Sequence, residues 1–185
     1  MEAYDAIMTR RSVPRAEGPA PDRAQIERLL DAAVRAPNHH LTQPWRFVVL
    51  TGDALRELGD VWAAGARREG KDPESVRAKP RRAPVVICVI ARPKGHLRRV
   101  SDVEEHHAVG AALQNILLSA HAAGLAAMLR TGPAAHIPEV RRHLGVGDDE
   151  LVAGFVYVGH PPRGDERPMT TRIPARRLTE WRGWQ

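Results

Sequence analysis

The stretch Pro84-Val85-Val86-Ile87-Cys88-Val89-Ile90-Ala91 is continuously apolar and rich in β-branched residues. A run of this kind is the pattern of a central strand covered on both faces. Ten residues on, Ser101 and Glu104 form a capping-box pattern that opens a helix reaching about Ala123, with Gly124 as its natural terminator. Ala108, Gly110, Ala111 and Ala112 of that helix let another backbone approach closely, and Leu113, Ile116 and Leu117 supply bulk. A helix apolar over so much of its circumference is predicted to be buried nearly all round.

Working outward from this strand and helix, Leu125–Arg130 and the alternating, β-branched Leu151–Val158 read as further strands, and Trp45–Leu50 as another. The N-terminal part is helical. Tyr4, Ile7 and Met8 share a face over residues 3–12, and Pro14 stops that helix. Asp22 with Gln25 opens a second helix carrying Ile26, Leu29, Leu30, Ala33 and Val34, which ends at Pro37-Asn38. Asp53 is expected to cap a third helix with Leu55, Leu58, Val61 and Trp62, and Pro138–Leu144 forms a short one ended by Gly145. The charged, proline-interrupted residues 67–82 are expected to be an exposed, partly helical and mobile excursion, and residues 92–100 a basic turn. The tail from His160 to Gln185 holds Pro161, Pro162, Pro168 and Pro174 and reads as an extended arm that needs a surface to lie on. Helices first, then strands and helices mixed, give an α+β sandwich with a central helix, not a doubly wound sheet.

Composition agrees with one globular domain over residues 1–185. The chain is 43% hydrophobic and 27% charged, close to globular averages. Its single cysteine, Cys88, excludes an intrachain disulfide framework and suits a reducing compartment. No apolar run is long enough to span a membrane, and the acidic start lacks the order of a signal peptide, so a soluble cytoplasmic chain is expected. The net charge of +6, from 28 Lys and Arg against 22 Asp and Glu, first suggests a polyanionic partner. Nucleic acid fits poorly. Aromatic residues make up only 4% of the chain, and its cations are scattered among acids.

Several kinds of site are missing from the sequence. There is no dinucleotide or P-loop glycine motif, no nucleophile elbow and no paired Cys-x-x-Cys. His39-His40 and Glu104-Glu105-His106-His107 do not reach three well-spaced ligands, so no metal site is expected. The second cluster reads as a solvated first helical turn whose acids suit the helix dipole. Cys88 lies mid-strand among Val and Ile, where a thiol is inert. Three clusters remain. Arg10-Arg11-Ser12 sets two guanidinium groups beside a hydroxyl, a grip suited to phosphate. Arg35-Ala36-Pro37-Asn38-His39, running on to Gln43-Pro44-Trp45, is a polar loop between a helix and a strand. Leu129-Arg130-Thr131-Gly132 is a strand end that turns.

Taken together and in order, these segments resemble the FMN-dependent nitroreductase family, most closely its short-chain, YdjA-like branch of NAD(P)H nitroreductases. "IMTRRSVP" resembles the family's N-terminal Arg-Arg-Ser motif. "LLDAAVRAPNHHLTQPWRFVVL" resembles its Arg-Ala-Pro-x-His-x-x-x-Gln-Pro-Trp-x-Phe signature, the most specific match. "RAPVVICVIA", "GAALQNILLSAHAAGLAAMLRTG" and "ELVAGFVYVGHP" resemble its central strand, its long helix with the strand after it, and its last core strand. The resemblance implies a sandwich whose central sheet is mostly antiparallel and flanked by helices, with a long buried helix and an extended C-terminal arm. It also implies an intertwined homodimer with FMN at the subunit interface.

Carried over residue by residue, Arg10, Arg11 and Ser12 match the family's N-terminal FMN-binding motif. Arg35 and His39 match positions that reach the flavin from the other subunit. Leu129, Arg130 and Thr131 match strand-end FMN contacts where the branch has tryptophan, arginine and serine, so Leu129 removes one large aromatic. Ser119–Gly124 matches a stretch assigned to the pyridine nucleotide. The implied activity is transfer of electrons from NADH or NADPH, through FMN, to a small organic acceptor such as a nitroaromatic or quinone, by a ping-pong mechanism. Specialised relatives that dehalogenate, dehydrogenate or fragment flavin are the alternative. The flavin would carry the chemistry, so no catalytic side chain is implied. Arginine forks suit its phosphate, and a fixed cation near N1 favours the reduced ring.

Overall fold

Four strands form one antiparallel sheet in the order β1-β2-β4-β3, where β1 is Trp45–Thr51, β2 Val85–Ala91, β3 Ala126–Arg130 and β4 Leu151–Gly159. The computed structural model describes residues 1–94, 99–164 and 171–184. Strand β2 lies between β1 and β4, and all seven of its residues are buried. Phe47 stands opposite Val89, Val86 opposite Tyr157 and Leu129 opposite Val156, with a bulge at Val89/Ile90.

Alternation along β2 assigns its side chains to two cores. Val85, Ile87, Val89 and Ala91 pack under α2 (Arg23–Val34) and α5 (Asp102–Ala122). Val86 and Cys88 face α3 (Asp53–Arg68) and α6 (Pro138–His143) through Leu55, Leu58, Ile137 and Val140. The sheet is thus the middle of three layers, and each buried Val, Ile or Leu contributes about 1.5–3 kcal/mol. Asn115 of α5 donates to Ala32 O of α2 at 3.0 Å, tying the helices of one layer together. Both expected capping boxes, at Asp22/Gln25 and Ser101/Glu104, are formed. Among the described residues no helix is long and apolar enough to cross a membrane.

Several expectations are corrected. Helix α1 is Ala3–Thr9 and ends before residue 12, because Arg10 turns extended (ψ 133°) and carries the chain to the edge of β3, where Val13 N–H donates to Ala127 O at 3.0 Å. Its apolar face stays open, with Tyr4, Ile7 and Met8 exposed and only Ala6 buried. The N-cap of α3 is Gly52 at φ +54°, and Asp53 is its first helical residue. Residues 67–82 are anchored: α4 (Glu74–Arg77) and a 3-10 turn at Lys79–Arg82 bury Val76 and Pro80. Interior β4 is covered on both faces past its first residues. Helix α5 is not enclosed all round, since Val103, His107, Gly110 and Gln114 are open. Nor is its first turn fully solvated: Glu105 is buried and accepts from Lys94 N–H at 2.6 Å. The turn over 92–100 and the arm lie partly outside the described residues. Those of the arm from 171 to 184 are all exposed and carry one 3-10 turn, Ala175–Arg177.

Candidate functional site

The site residues fall into two groups at opposite ends of α5. At its C-terminal end, the extended segment after α1 brings Arg10 and Arg11 beside His121, whose imidazole accepts protons less readily because of burial and then the two guanidinium charges. Thr9 Oγ1 donates to Asp5 O at 2.6 Å, so it accepts from His121 Nε2–H at 2.8 Å. Ser12 is exposed, and the next residue is already paired with β3.

That pairing fixes what β3 offers. Ala127 C=O points away from β4 to reach Val13, and in an antiparallel ladder the outward direction recurs every second residue. Leu129 N–H and C=O therefore face the same open edge, just beyond Arg10-Arg11-Ser12, while its side chain packs on the α2/α5 core. Arg130 projects to the other side of the sheet. One of its terminal nitrogens donates to Pro14 O at 2.9 Å, and its guanidinium carbon lies 5.4 Å from the Tyr157 ring centre. Thr131 is exposed at the turn that follows. Arg10, Arg11, Ser12, Leu129, Arg130 and Thr131 are thus gathered along one sheet edge. Two guanidinium groups and a hydroxyl at one end, with backbone donor and acceptor at the other, suit a phosphate and a polar ring edge.

Arg35 and His39 are elsewhere. Arg35 is the exposed C-cap of α2. His39 opens a 3-10 turn (His39–Leu41), and its Nε2 lies 3.6 Å from Glu104 Oε1 in the first turn of α5. Pro37, Asn38, His39, Glu104, His107 and Ala108 help line a cavity of about 330 Å³ there. Along α5, Glu104 and His121 are about 25 Å apart at ~1.5 Å rise per residue. The loop carrying His39 is held in a costly shape: His40, Leu41 and Gln43 all have positive φ. Asn38 Nδ2 donates to Ala36 O at 3.1 Å and its Oδ1 accepts from Gln43 N–H at 2.9 Å, while Lys94 Nζ donates to the carbonyls of Thr42 and Gln43. Backbone held this way clusters at binding sites.

Sequence reading missed three contributors. His121 had a signal, lying in the Ser119–Gly124 match, and the end of that segment is exposed beside Arg10 and Arg11. Lys79 and Arg82 had none beyond being charged, yet both line a cavity at Arg130. Cys88 is fully buried, and burial pushes its thiol up to about 12, so it is inert as expected.

Known proteins resemble this chain in sequence and in fold. YdjA of Escherichia coli (strain K12), by name an NAD(P)H nitroreductase, is 32% identical over 164 residues, covering 87% of this chain and 89% of its own. YfhC of Bacillus subtilis, named likewise, is 28% identical over 95% of this chain and 92% of its own. Among solved structures, a nitroreductase-like family protein from Bacillus cereus superposes with a TM-score of 0.84 at 23% identity, covering 100% of this chain and 97% of its own. A nitroreductase from Desulfovibrio desulfuricans in complex with FMN gives 0.78 at 26% identity, covering 100% and 99%. The family model described as Nitroreductase family matches residues 7–160, from inside α1 to just past β4 and so through every site residue above. On sequence and fold together, the chain belongs to the nitroreductase family.

Proposed function

We propose that the whole chain acts as one FMN-binding domain of a homodimeric oxidoreductase, passing electrons from NADH or NADPH to a small organic acceptor. The observation that carries this reading is the separation of the site into two groups about 25 Å apart along α5, too far for one chain to close both on one flavin. Two chains packed antiparallel through the open stripe of α5 would set the Glu104 end of one against the His121 end of the other. The stripe suits close approach: an added Cβ on Gly110 would meet no atom within 4 Å. Tyr4, Ile7 and Met8 on α1, with Leu178, Trp181 and Trp184 on the arm, supply further exposed apolar surface for a second copy.

In this arrangement Arg10, Arg11 and Ser12 hold the phosphate, and Leu129 N–H and Thr131 meet the polar edge of the ring. Arg35 and His39 close over it from the other chain. Bound FMN supplies the hydride and electron transfer. His121, biased toward its neutral form, adds no like charge beside Arg10 and Arg11 at pH 7. Donor and acceptor use the one open face in turn, which makes turnover ping-pong. The buried Cys88 fits a reducing, cytoplasmic setting.

The test is the absorbance spectrum of the purified protein, the cofactor released on denaturation, and the oxidation of NADH and of NADPH with nitro, quinone, halogenated and enone acceptors. A yellow protein that releases FMN and oxidises either donor supports the reading, and the preferred acceptor separates an ordinary reductase from a specialised one. Protein that is colourless, takes up no added FMN and oxidises neither donor would sink it.

A further inference from the structure

Behind the end of β3, on the α3 side of the sheet, lies a cavity of about 420 Å³. Lys79, Arg82 and Arg130 line it together with Trp62, Phe155 and Tyr157, and none of its lining residues is Asp or Glu. Lys79 Nζ lies 5.3 Å from the Trp62 ring centre, which fixes it over the aromatic wall. Arg130 faces inward with its Nε buried and without a partner, and a terminal nitrogen of its guanidinium donates to the main-chain carbonyl of Pro14. Burial and then the neighbouring Arg82 both disfavour its charge, and no acid lines the cavity to offset it. The Tyr157 phenol is pushed up to about 12 by burial and keeps its proton at neutral pH, so it adds no negative charge beside Arg130. Convergent donors at one end and aromatic walls beside them form a receptor for an anion on a flat apolar body.

We propose that this cavity takes the oxyanion end, carboxylate or phosphate, of a small aromatic molecule. Resting on the flavin reading, we assign that molecule as the electron acceptor. Leu129 and Thr131 belong both to the cavity lining and to the strand end given to the flavin, so an anion seated at Arg130 and Arg82 leaves the rest of the molecule at that strand end.

The binding half is tested without any turnover. Calorimetric titration of purified protein with benzoate, phenyl phosphate and neutral benzyl alcohol is expected to show binding of at least one anion and none of the alcohol. Affinity should fall at least tenfold in Lys79→Gln/Arg82→Gln and at least threefold in Lys79→Gln alone, the milder variant for use if the double one does not fold. Benzyl alcohol binding as well as the anions, or unchanged affinity in a folded variant, overturns the cavity assignment. Benzoate alone binding identifies a carboxylate site, and phenyl phosphate alone a phosphate site. The acceptor half is read from kcat/KM for 4-nitrobenzoate against 4-nitrobenzyl alcohol, expected to favour the acid at least tenfold and to level out in the double variant. Anion binding with no reduction of either compound by FMN-loaded protein keeps the cavity and overturns the acceptor assignment, while the reductase reading falls only if the protein takes up no FMN and oxidises neither donor. Reduction of both at equal rates overturns the acceptor assignment alone.

Discussion

Arg10 and Arg11 stand out in the sequence because adjacent guanidinium groups beside a hydroxyl are a local pattern, and the phosphate grip proposed for them rests on that pattern. Their neighbour His121 does not, because 110 or more residues of chain separate it from them and only the fold brings them together. Replacing both, as Arg10→Ala/Arg11→Ala, should raise the dissociation constant of FMN about 10–100-fold, the loss of one or two charge-assisted hydrogen bonds. Fluorescence titration of FMN checks it, and an unchanged constant would remove these residues from the site. His121 gives a pH signature. Its folded form binds protons less readily than the usual 6.5, so the unfolded chain takes up more protons as pH falls through that value, and stability drops. In His121→Gln the fall in unfolding free energy between pH 7 and pH 5, measured in urea, should be smaller. Leu129 and Arg130 show another limit of local reading. They are neighbours in sequence, yet strand alternation sends them to opposite faces, one into the core and one into a cation-lined cavity.

At the scale of elements, the legible features were those whose cause is local. Two capping boxes, the buried run of β2 and the glycine after α5 all formed where the pattern put them. Features decided by distant partners were misread. Helix α1 stops at Thr9 because the edge of β3 takes up the next residues, and 67–82 is anchored because Val76 and Pro80 find a core. The tie between β1 and the start of β4 belongs to the same class. Arg46 makes a two-pronged contact with Glu150, at 2.9 and 2.7 Å, and Gly147 N–H adds a third bond at 3.0 Å. These hold the Glu150 carboxyl at about 2, chiefly through Arg46. A depressed folded value means that this stabilisation is complete above the ordinary 4.5 and fades as pH falls toward 2. Glu150→Gln should therefore cost about 1–3 kcal/mol at pH 7 and progressively less toward pH 2, read from denaturant unfolding across pH. A constant deficit across that range would contradict the assignment.

At the scale of the molecule, a sequence pattern does not distinguish a face covered by the same chain from one covered by a second copy. The apolar circumference of α5 reads as burial nearly all round, yet in one chain Val103, Gly110 and Gln114 remain open. The apolar residues of α1 and the arm are open as well. Removing residues 171–185 should leave the far-UV circular dichroism unchanged while weakening self-association and FMN retention, measured by analytical ultracentrifugation and absorbance. An unaffected dimer would free the arm from that role.

The central claim is that each flavin site is built from two chains. It is tested most directly by mixing Arg10→Ala/Arg11→Ala chains with Arg35→Ala/His39→Ala chains after denaturation, refolding them together, and measuring bound FMN per chain. Each variant alone should hold little. If one site takes Arg10 and Arg11 from one chain and Arg35 and His39 from the other, mixed dimers recover one intact site each, and FMN returns to about a quarter of the unmodified level. No recovery on mixing, with each variant alone as before, would contradict a shared site.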